Sequence, residues 1–299
     1  MIPLVAVLLD WVLTALWPLI GASGLRYYSG VPFMCGGLLI GLIAMSPWLA
    51  ARGRWRRVIS RESAPPLMIM GLFSGAATMI YIVALNYTTP VNAVILAQIE
   101  VLYSTLLSAR YLGERPTLKQ SLASLLVVAG TALIVVRDLR SPRWRGDLMI
   151  LATPWMYQVS HIFGKKLPKD LDAVTLSGGR ALYGLLAAAP LCAWLLWRGA
   201  AWSWQPAALK LLLLQGVLMS SLNYVLWYVG IRGMELSKAT TILLSYPALT
   251  LAFSWGMGRE QIHAAQIAGL CCTMAGALWT ARLSLARGAD VLMESPVPI

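Results

Sequence analysis

The chain has 299 residues, of which 59% are hydrophobic and only 12% charged, with a mean hydropathy of +0.70; this excludes an ordinary water-soluble domain. Its net charge of +12 could suggest nucleic acid, but the basic residues fall between apolar runs, where topology and lipid headgroups account for them. The runs have helix length, not the roughly ten-residue alternation of barrel strands, so membrane helices are expected.

Ten spans are predicted, near 3–22, 29–50, 65–85, 91–109, 119–137, 148–165, 173–197, 208–230, 236–257 and 264–285. The first carries Asp10, Thr14 and Trp17 on one helical line, with no basic n-region or small-residue cleavage site, and reads as a membrane helix rather than a removed signal peptide. Asp10 is expected to sit shallowly enough for water from the cytoplasmic side to reach it. The third span carries Ser74, Ala77 and Tyr81 at i, i+3, i+7, beside the GxxxG pair Gly71 and Gly75.

In the fourth span Asn92, Glu100, Tyr103 and Ser104 share a stripe. Glu100 falls near the bilayer middle, where a carboxylate costs roughly 2.5–3.5 kcal/mol on insertion scales. It is either a proton- or substrate-responsive group in a cavity or an interhelical hydrogen bonder. The sixth span offers Gln158, His161 and Lys165; His161 reads first as a structural hydrogen bonder and second as a proton relay. Arg180, in the seventh, is expected to snorkel to the interface in preference to binding a substrate carboxylate. The eighth repeats the third, with Ser220, Asn223 and Trp227 answering Ser74, Ala77 and Tyr81 at a spacing of 146.

The same spacing relates Glu114, Gln120 and Ala129-Gly130 to Glu260, Gln266 and Ala275-Gly276, while Cys35-Gly36-Gly37 answers Ser177-Gly178-Gly179 at 142. The chain therefore reads as one five-helix unit written twice: residues 1–138, a polar linker at 139–147 and residues 148–287, followed by a tail at 288–299 with no assigned function. An odd number of helices per unit inverts the second copy, which gives an all-α membrane protein of two inverted repeats around a central cavity. Most Lys and Arg, including Arg52, Arg54, Arg56, Arg57 and Arg61, fall on the side that also holds both termini, so the termini are expected to be cytoplasmic. Glu114 and Glu260 each precede a helix and are expected to offset its dipole. The small residues Ala123/Gly130 and Gly269/Gly276 predict that spans five and ten pack outside the cavity, against each other or against a second copy. Trp48, Tyr111, Trp194 and Trp197, near span ends, read as interfacial anchors.

Four cysteines, Cys35, Cys192, Cys271 and Cys272, lie inside spans without metal-ligand spacing, so neither a disulfide framework nor a metal or other cofactor is expected. HExxH, GxSxG and GxxxxGK[ST] are all missing, so neither an intramembrane enzyme nor a direct ATP-driven machine is expected.

Several motifs occur together: Glu100 in span four, the Leu112-Gly113-Glu114 turn after it, and Trp155-x-Tyr157 followed by Gly164-Lys165-Lys166 in span six. Over nearly the whole chain this pattern resembles the EamA-type members of the drug/metabolite transporter superfamily, and within it the bacterial aromatic amino acid exporters. Family members often carry Glu-Pro in both span four and span nine. Here span four keeps the acid as Glu100-Val101 and span nine keeps the proline as Tyr246-Pro247.

The resemblance implies a bacterial inner-membrane carrier exporting amino acids, aromatic and other neutral ones, or related amphipathic metabolites. Substrate contacts are expected from Trp17, Ser74, Tyr81, Asn92, Glu100, Tyr103, Gln158, His161, Asn223 and Trp227. A drug or other-metabolite carrier, or a scaffold without transport, are the alternatives. The expected partners are a small-molecule substrate and membrane lipids, not nucleic acid. Fusion of both halves in one chain predicts a monomer.

Overall fold

A computed structural model describes residues 1–88, 93–94, 96–114, 116–135, 144–256 and 264–294, and every regular element among them is helical. Five helices are long and apolar enough to cross a bilayer by themselves: α1 (Ile2–Gly24), α2 (Gly30–Ala51), α4 (Ala64–Ala84), α9 (Ala173–Trp197) and α10 (Pro206–Gly233), with a single turn, α3 (Trp55–Val58), between α2 and α4. α6 (Leu118–Val135) and α13 (Ala264–Glu294) carry shorter apolar stretches.

Three predicted spans are interrupted. Span four enters α5 (Glu100–Leu112) through a 3-10 turn, Ala97–Ile99; span six divides into α7 (Trp144–Leu151) and α8 (Pro154–Lys166); span nine divides into α11 (Leu236–Leu243) and α12 (Tyr246–Gly256). A break inside lipid must re-satisfy the carbonyls it frees. Side chains do so at each one: Gln98 Nε2 donates to Val94 O at 3.3 Å, Thr153 Oγ1 to Ile150 O at 2.9 Å and Ser245 Oγ to Ile242 O at 2.7 Å. Pro154 and Pro247, which lack an N–H, open the helices that follow two of the breaks. α10 is continuous but widens to a π-helix over Leu214–Leu222, a local register change common at functional sites.

Glycines set the helix spacing. A Cβ on Gly71 of α4 would lie 2.6 Å from the Gly184 nitrogen of α9, and one on Gly41 of α2 would lie 2.9 Å from the Gly216 oxygen of α10. α6 and α13 pack along their length: a Cβ on Gly130 would meet Gly269 O at 2.7 Å, and one on Gly276 would meet Ala123 O at 2.8 Å. The small residues of these two helices therefore serve each other. α1 packs on α10, α11 and α12; α8 packs on α4 and α5.

The two ends differ. At the basic end the connections after α2, α5, α8 and α10 meet: Arg57 binds Asp170, Arg54 lies 3.7 Å from Asp172, and Arg232 donates to Leu171 O and, at 2.7 Å, to Pro168 O. At the opposite end Ser29 and Ala201 exchange two hydrogen bonds of 2.9 Å, and Thr88 donates to Asp147 at 2.7 Å. Trp48, Tyr111, Trp194 and Trp197 are all exposed, as interfacial anchors would be.

Candidate functional site

A cavity of about 110 Å³ lies where the interruptions converge. α1 contributes Asp10, Thr14 and Trp17; α4 contributes Thr78 and Tyr81; the breaks contribute Ala97, Glu100, Thr153, Leu243, Leu244 and Tyr246. α8 adds Tyr157 and His161, and α10 adds Gln215, Met219, Ser220, Asn223, Tyr224 and Trp227, from the π stretch onward. Apart from Asp10, near the middle of α1, the α1 and α4 positions occupy the C-terminal halves of those helices, and the α8 positions lie near its N-terminus and middle. The cavity thus extends from mid-membrane towards the end opposite the basic one.

Below it, an apolar plug joins Trp227, Tyr228 and Ile231 to Val58, Leu167 and Leu171. The plug ends in a polar latch. Gly113, at φ 70° in the left-handed region that a residue without Cβ adopts freely, closes α5 and turns Glu114 across the molecule. The Glu114 carboxylate binds Lys165 and accepts the amide N–H groups of Leu236 at 3.0 Å and Ser237 at 3.3 Å, while Lys165 also donates to Met234 O at 2.7 Å. Glu114 therefore offsets the dipole of α11, which packs against α5, rather than that of the helix it precedes; Glu260 lies outside the described residues.

The cavity chemistry is graded. Glu100, at the first turn of α5, accepts from Gln158 Nε2 at 2.8 Å. His161 Nδ1 accepts the indole N–H of Trp227 at 2.9 Å. An indole only donates, so this bond fixes the neutral tautomer that carries its proton on Nε2, and that atom faces Glu100 Oε1 at 3.9 Å. Tyr157 donates to Thr78 at 2.9 Å, and the Thr14 hydroxyl and Asn223 amide bond each other at 3.2–3.3 Å. The Trp17 and Tyr81 rings are in contact, tilted by 37° with centroids 4.6 Å apart. Asp10 is 1% exposed, and neither of its carboxyl oxygens has a hydrogen-bond partner among the described residues.

Of the residues expected to contact substrate, Trp17, Tyr81, Glu100, His161, Asn223 and Trp227 line the cavity. Gln158 stands behind Glu100. Ser74 lies behind the wall, where it accepts from Arg180 Nη1 at 3.2 Å. Tyr103 is half-buried away from the cavity, and Asn92 lies outside the described residues. Two expectations fail. Asp10 is sealed from the basic end because the plug lies between, and Arg180 does not snorkel. Its guanidinium is 1% exposed, donates to Ser220 O at 3.3 Å and sits 3.2 Å from the centre of the Tyr224 ring, since α9 is wedged between α2 and α4 and leaves the side chain no route to the surface. Tyr157, Tyr224 and Tyr246 were not among the expected contacts. Their signals were present: Tyr157 is one turn before His161, Tyr224 adjoins Asn223, and Tyr246 stands 146 residues after Glu100.

The chain is 22% identical to an uncharacterized transporter, YoaV, of Bacillus subtilis (strain 168), over 82% of this chain and 84% of that protein. It is 24% identical to an uncharacterized transporter of Archaeoglobus fulgidus, over 79% and 83% of the two chains. A solved crystal structure of a protein shares the fold, with a TM-score of 0.76 at 18% identity over 94% of this chain and 98% of that one. The relatives carry the class of transporter, not a substrate. The sequence model of the EamA-like transporter family matches residues 1–136 and 144–282. This multi-pass helical membrane protein, with its cavity at the broken helices, belongs to the EamA-like transporter family, a branch of the drug/metabolite transporter superfamily.

Proposed function

We propose that the protein is a carrier, not an enzyme, that passes amino acids, aromatic and other neutral ones foremost, and related amphipathic metabolites across the bacterial inner membrane. It works by alternating access between two inverted five-helix units, residues 1–138 and 148–287, joined through 139–147. The basic end and both termini face the cytoplasm, and a single chain suffices.

The observation that carries the reading is a mid-membrane cavity on interrupted helices, plugged and latched at one end. Discontinuous helices around a midplane site are how secondary transporters expose ligand groups without opening backbone to lipid. Paired packing supports the repeat: α1 on α10 is answered by α8 on α4, α4 on α9 by α10 on α2, and Gly130 on Gly269 by Gly276 on Ala123. In this arrangement Glu114, Lys165 and the α11 amides hold the cytoplasmic side closed, and transport requires that latch to open while the opposite end shuts.

The test is uptake of a panel of radiolabelled amino acids into liposomes holding the purified protein, with and without a pH gradient. Saturable, protein-dependent flux of aromatic or neutral amino acids is the expected result. No flux for any amino acid, in vesicles shown to hold folded protein, rejects the amino acid reading and leaves drugs or other metabolites as the cargo.

A further inference from the structure

The carrier reading leaves open which end of an amphipathic molecule the cavity recognises. Its lining contains two carboxyls, Asp10 and Glu100, and neither a lysine nor an arginine. The two acids are not equivalent. Glu100 already accepts from Gln158 and faces the Nε2 of His161. Asp10 is almost wholly buried, and both its oxygens lack a donor among the described residues. A buried carboxylate left in that state costs several kcal/mol, so a donor arriving with the ligand has the most to gain there.

The cation that could receive a substrate carboxylate is withheld. Arg180 lies outside the lining, donates from Nη1 to Ser74 and from Nη2 to the Ser220 carbonyl, and is covered by the Tyr224 ring; only its Nε lacks a partner among the described residues. The Thr14 and Asn223 polar groups are spent on each other. The lining also holds the rings of Trp17, Tyr81, Tyr157, Tyr224, Trp227 and Tyr246, among aliphatic and small polar side chains, and aromatic faces attract cations. The cavity, about 110 Å³, is no larger than an engineered cavity of about 150 Å³ that admits benzene, so a cargo with more than one ring does not fit it as it stands.

Resting on the carrier reading but departing from its amino acid arm, we propose that among the related amphipathic metabolites a monocationic single-ring arylalkylamine, whose ammonium group is received by Asp10, is preferred over the corresponding amino acid. The amine donates two or three hydrogen bonds to the Asp10 carboxylate, and its ring lies among Trp17, Tyr81 and Tyr157. A carboxylate on the same carbon skeleton meets no cation in the wall and must be desolvated against two acids.

The experiment compares three compounds with the same ring and different charge: phenethylamine, phenylalanine and 3-phenylpropionate. Counterflow of each is measured in proteoliposomes containing the full chain. The expected result is saturable phenethylamine flux at least tenfold more efficient than that of phenylalanine, with none for 3-phenylpropionate. Asp10→Asn is expected to reduce amine flux at least tenfold, and Asp10→Glu, which keeps the charge, to retain the ranking. Phenylalanine flux equal to or above that of the amine overturns the proposal and leaves the carrier reading standing. Absence of flux for all three, from folded protein, overturns both for aromatic cargo. Amine flux unchanged in both Asp10 variants removes Asp10 from the site. The ranking on the unmodified protein decides the charge preference even where Asp10→Asn does not fold.

Discussion

Glu114 gives the sharpest test of how one end of the protein is held shut. Its carboxylate, with the side chain 9% exposed, accepts two α11 amides and binds a lysine that is itself only 20% exposed. Glu114→Gln keeps an acceptor oxygen and the shape but removes the charge. Hydrogen bonds to a charged group contribute about 1.5–3 kcal/mol against roughly 0.5–1.5 for neutral ones. Losing that difference at two amides and weakening the Lys165 pair comes to about 2–3 kcal/mol. At about 1.4 kcal/mol per factor of ten, the latch should open roughly 30- to 150-fold more often.

Hydrogen–deuterium exchange of the peptide spanning α11 reads this directly, because the Leu236 and Ser237 amides are the groups that Glu114 protects. Exchange at both should accelerate at least tenfold in Glu114→Gln. The swap Glu114→Lys with Lys165→Glu separates two explanations. It restores an ion pair, but a lysine at 114 cannot accept an amide N–H, so exchange should stay fast. Unchanged exchange in Glu114→Gln, or protection regained in the swap, would refute the assignment of Glu114 as the cap of α11.

Gly130→Ala should lower the melting temperature of the solubilised protein markedly, because its Cβ would lie 2.6 Å from Thr273 N and 2.7 Å from Gly269 O, and overpacking against backbone costs about 1–3 kcal/mol or more. Gly256→Ala, with nothing within 4 Å among the described residues, is the near-neutral control. Trp227→Phe removes the N–H donor that holds His161 Nδ1 unprotonated; nitrogen NMR of the imidazole should show the Nε2–H tautomer in the unmodified protein and a loss of that bias in the variant. Asp172 caps α9 through Thr175 N and Thr175 Oγ1, both at 2.7 Å, so Asp172→Ala should cost about 0.5–2 kcal/mol in thermal or denaturant unfolding. Partial burial pushes the Asp172 carboxyl up, but Thr175, Trp48 and Arg54 together hold it below its ordinary value. Its contribution is therefore present above the ordinary aspartate range and lost as pH falls through the lowered value, so the variant and the unmodified protein should converge in stability in strong acid.

The helices were legible where composition alone decides them. The predicted 173–197 span coincides with α9, and α1, α2 and α4 match within a few residues, because an uninterrupted apolar run in lipid has one backbone solution. The breaks at Ala97–Ile99, Thr153 and Ser245 were not legible, since each depends on a nearby side chain accepting the duty of a lost helical bond. The stripe of Asp10, Thr14 and Trp17 was readable from spacing, and all three reach the cavity. The stripe through Glu100 and Tyr103 was not: both lie on α5, but only Glu100, at its first turn, reaches the cavity, which sits at the break and not along the helix. Arg180 failed for a different reason. Whether a long cation snorkels depends on the neighbours of its helix, and α9 turned out to be enclosed by α2 and α4.

Packing and chemistry follow different rules across the two halves. Where backbones approach, the halves agree: Gly130 and Gly276 meet positions 146 residues apart in the partner helix, and Gly71 and Gly41 each face a glycine across the bundle. Close approach between helices tolerates few residues, so these positions had little freedom to diverge. Where the cavity begins, agreement stops. Glu100 is matched by Tyr246, both on the wall and both at the start of a half-helix. Arg180 is matched at 142 residues by Leu38, and both are fully buried. Under the alternating-access proposal, a shared scaffold with unlike charges would let the two halves exchange positions around the cavity without presenting the same field to what it holds, and the acid on one half and the phenol on the other would give a bound molecule a preferred orientation. The energetic difference between the two facing states would then come from Asp10, Glu100 and Arg180, together with the latch at Glu114, since the glycine contacts are nearly the same in either half.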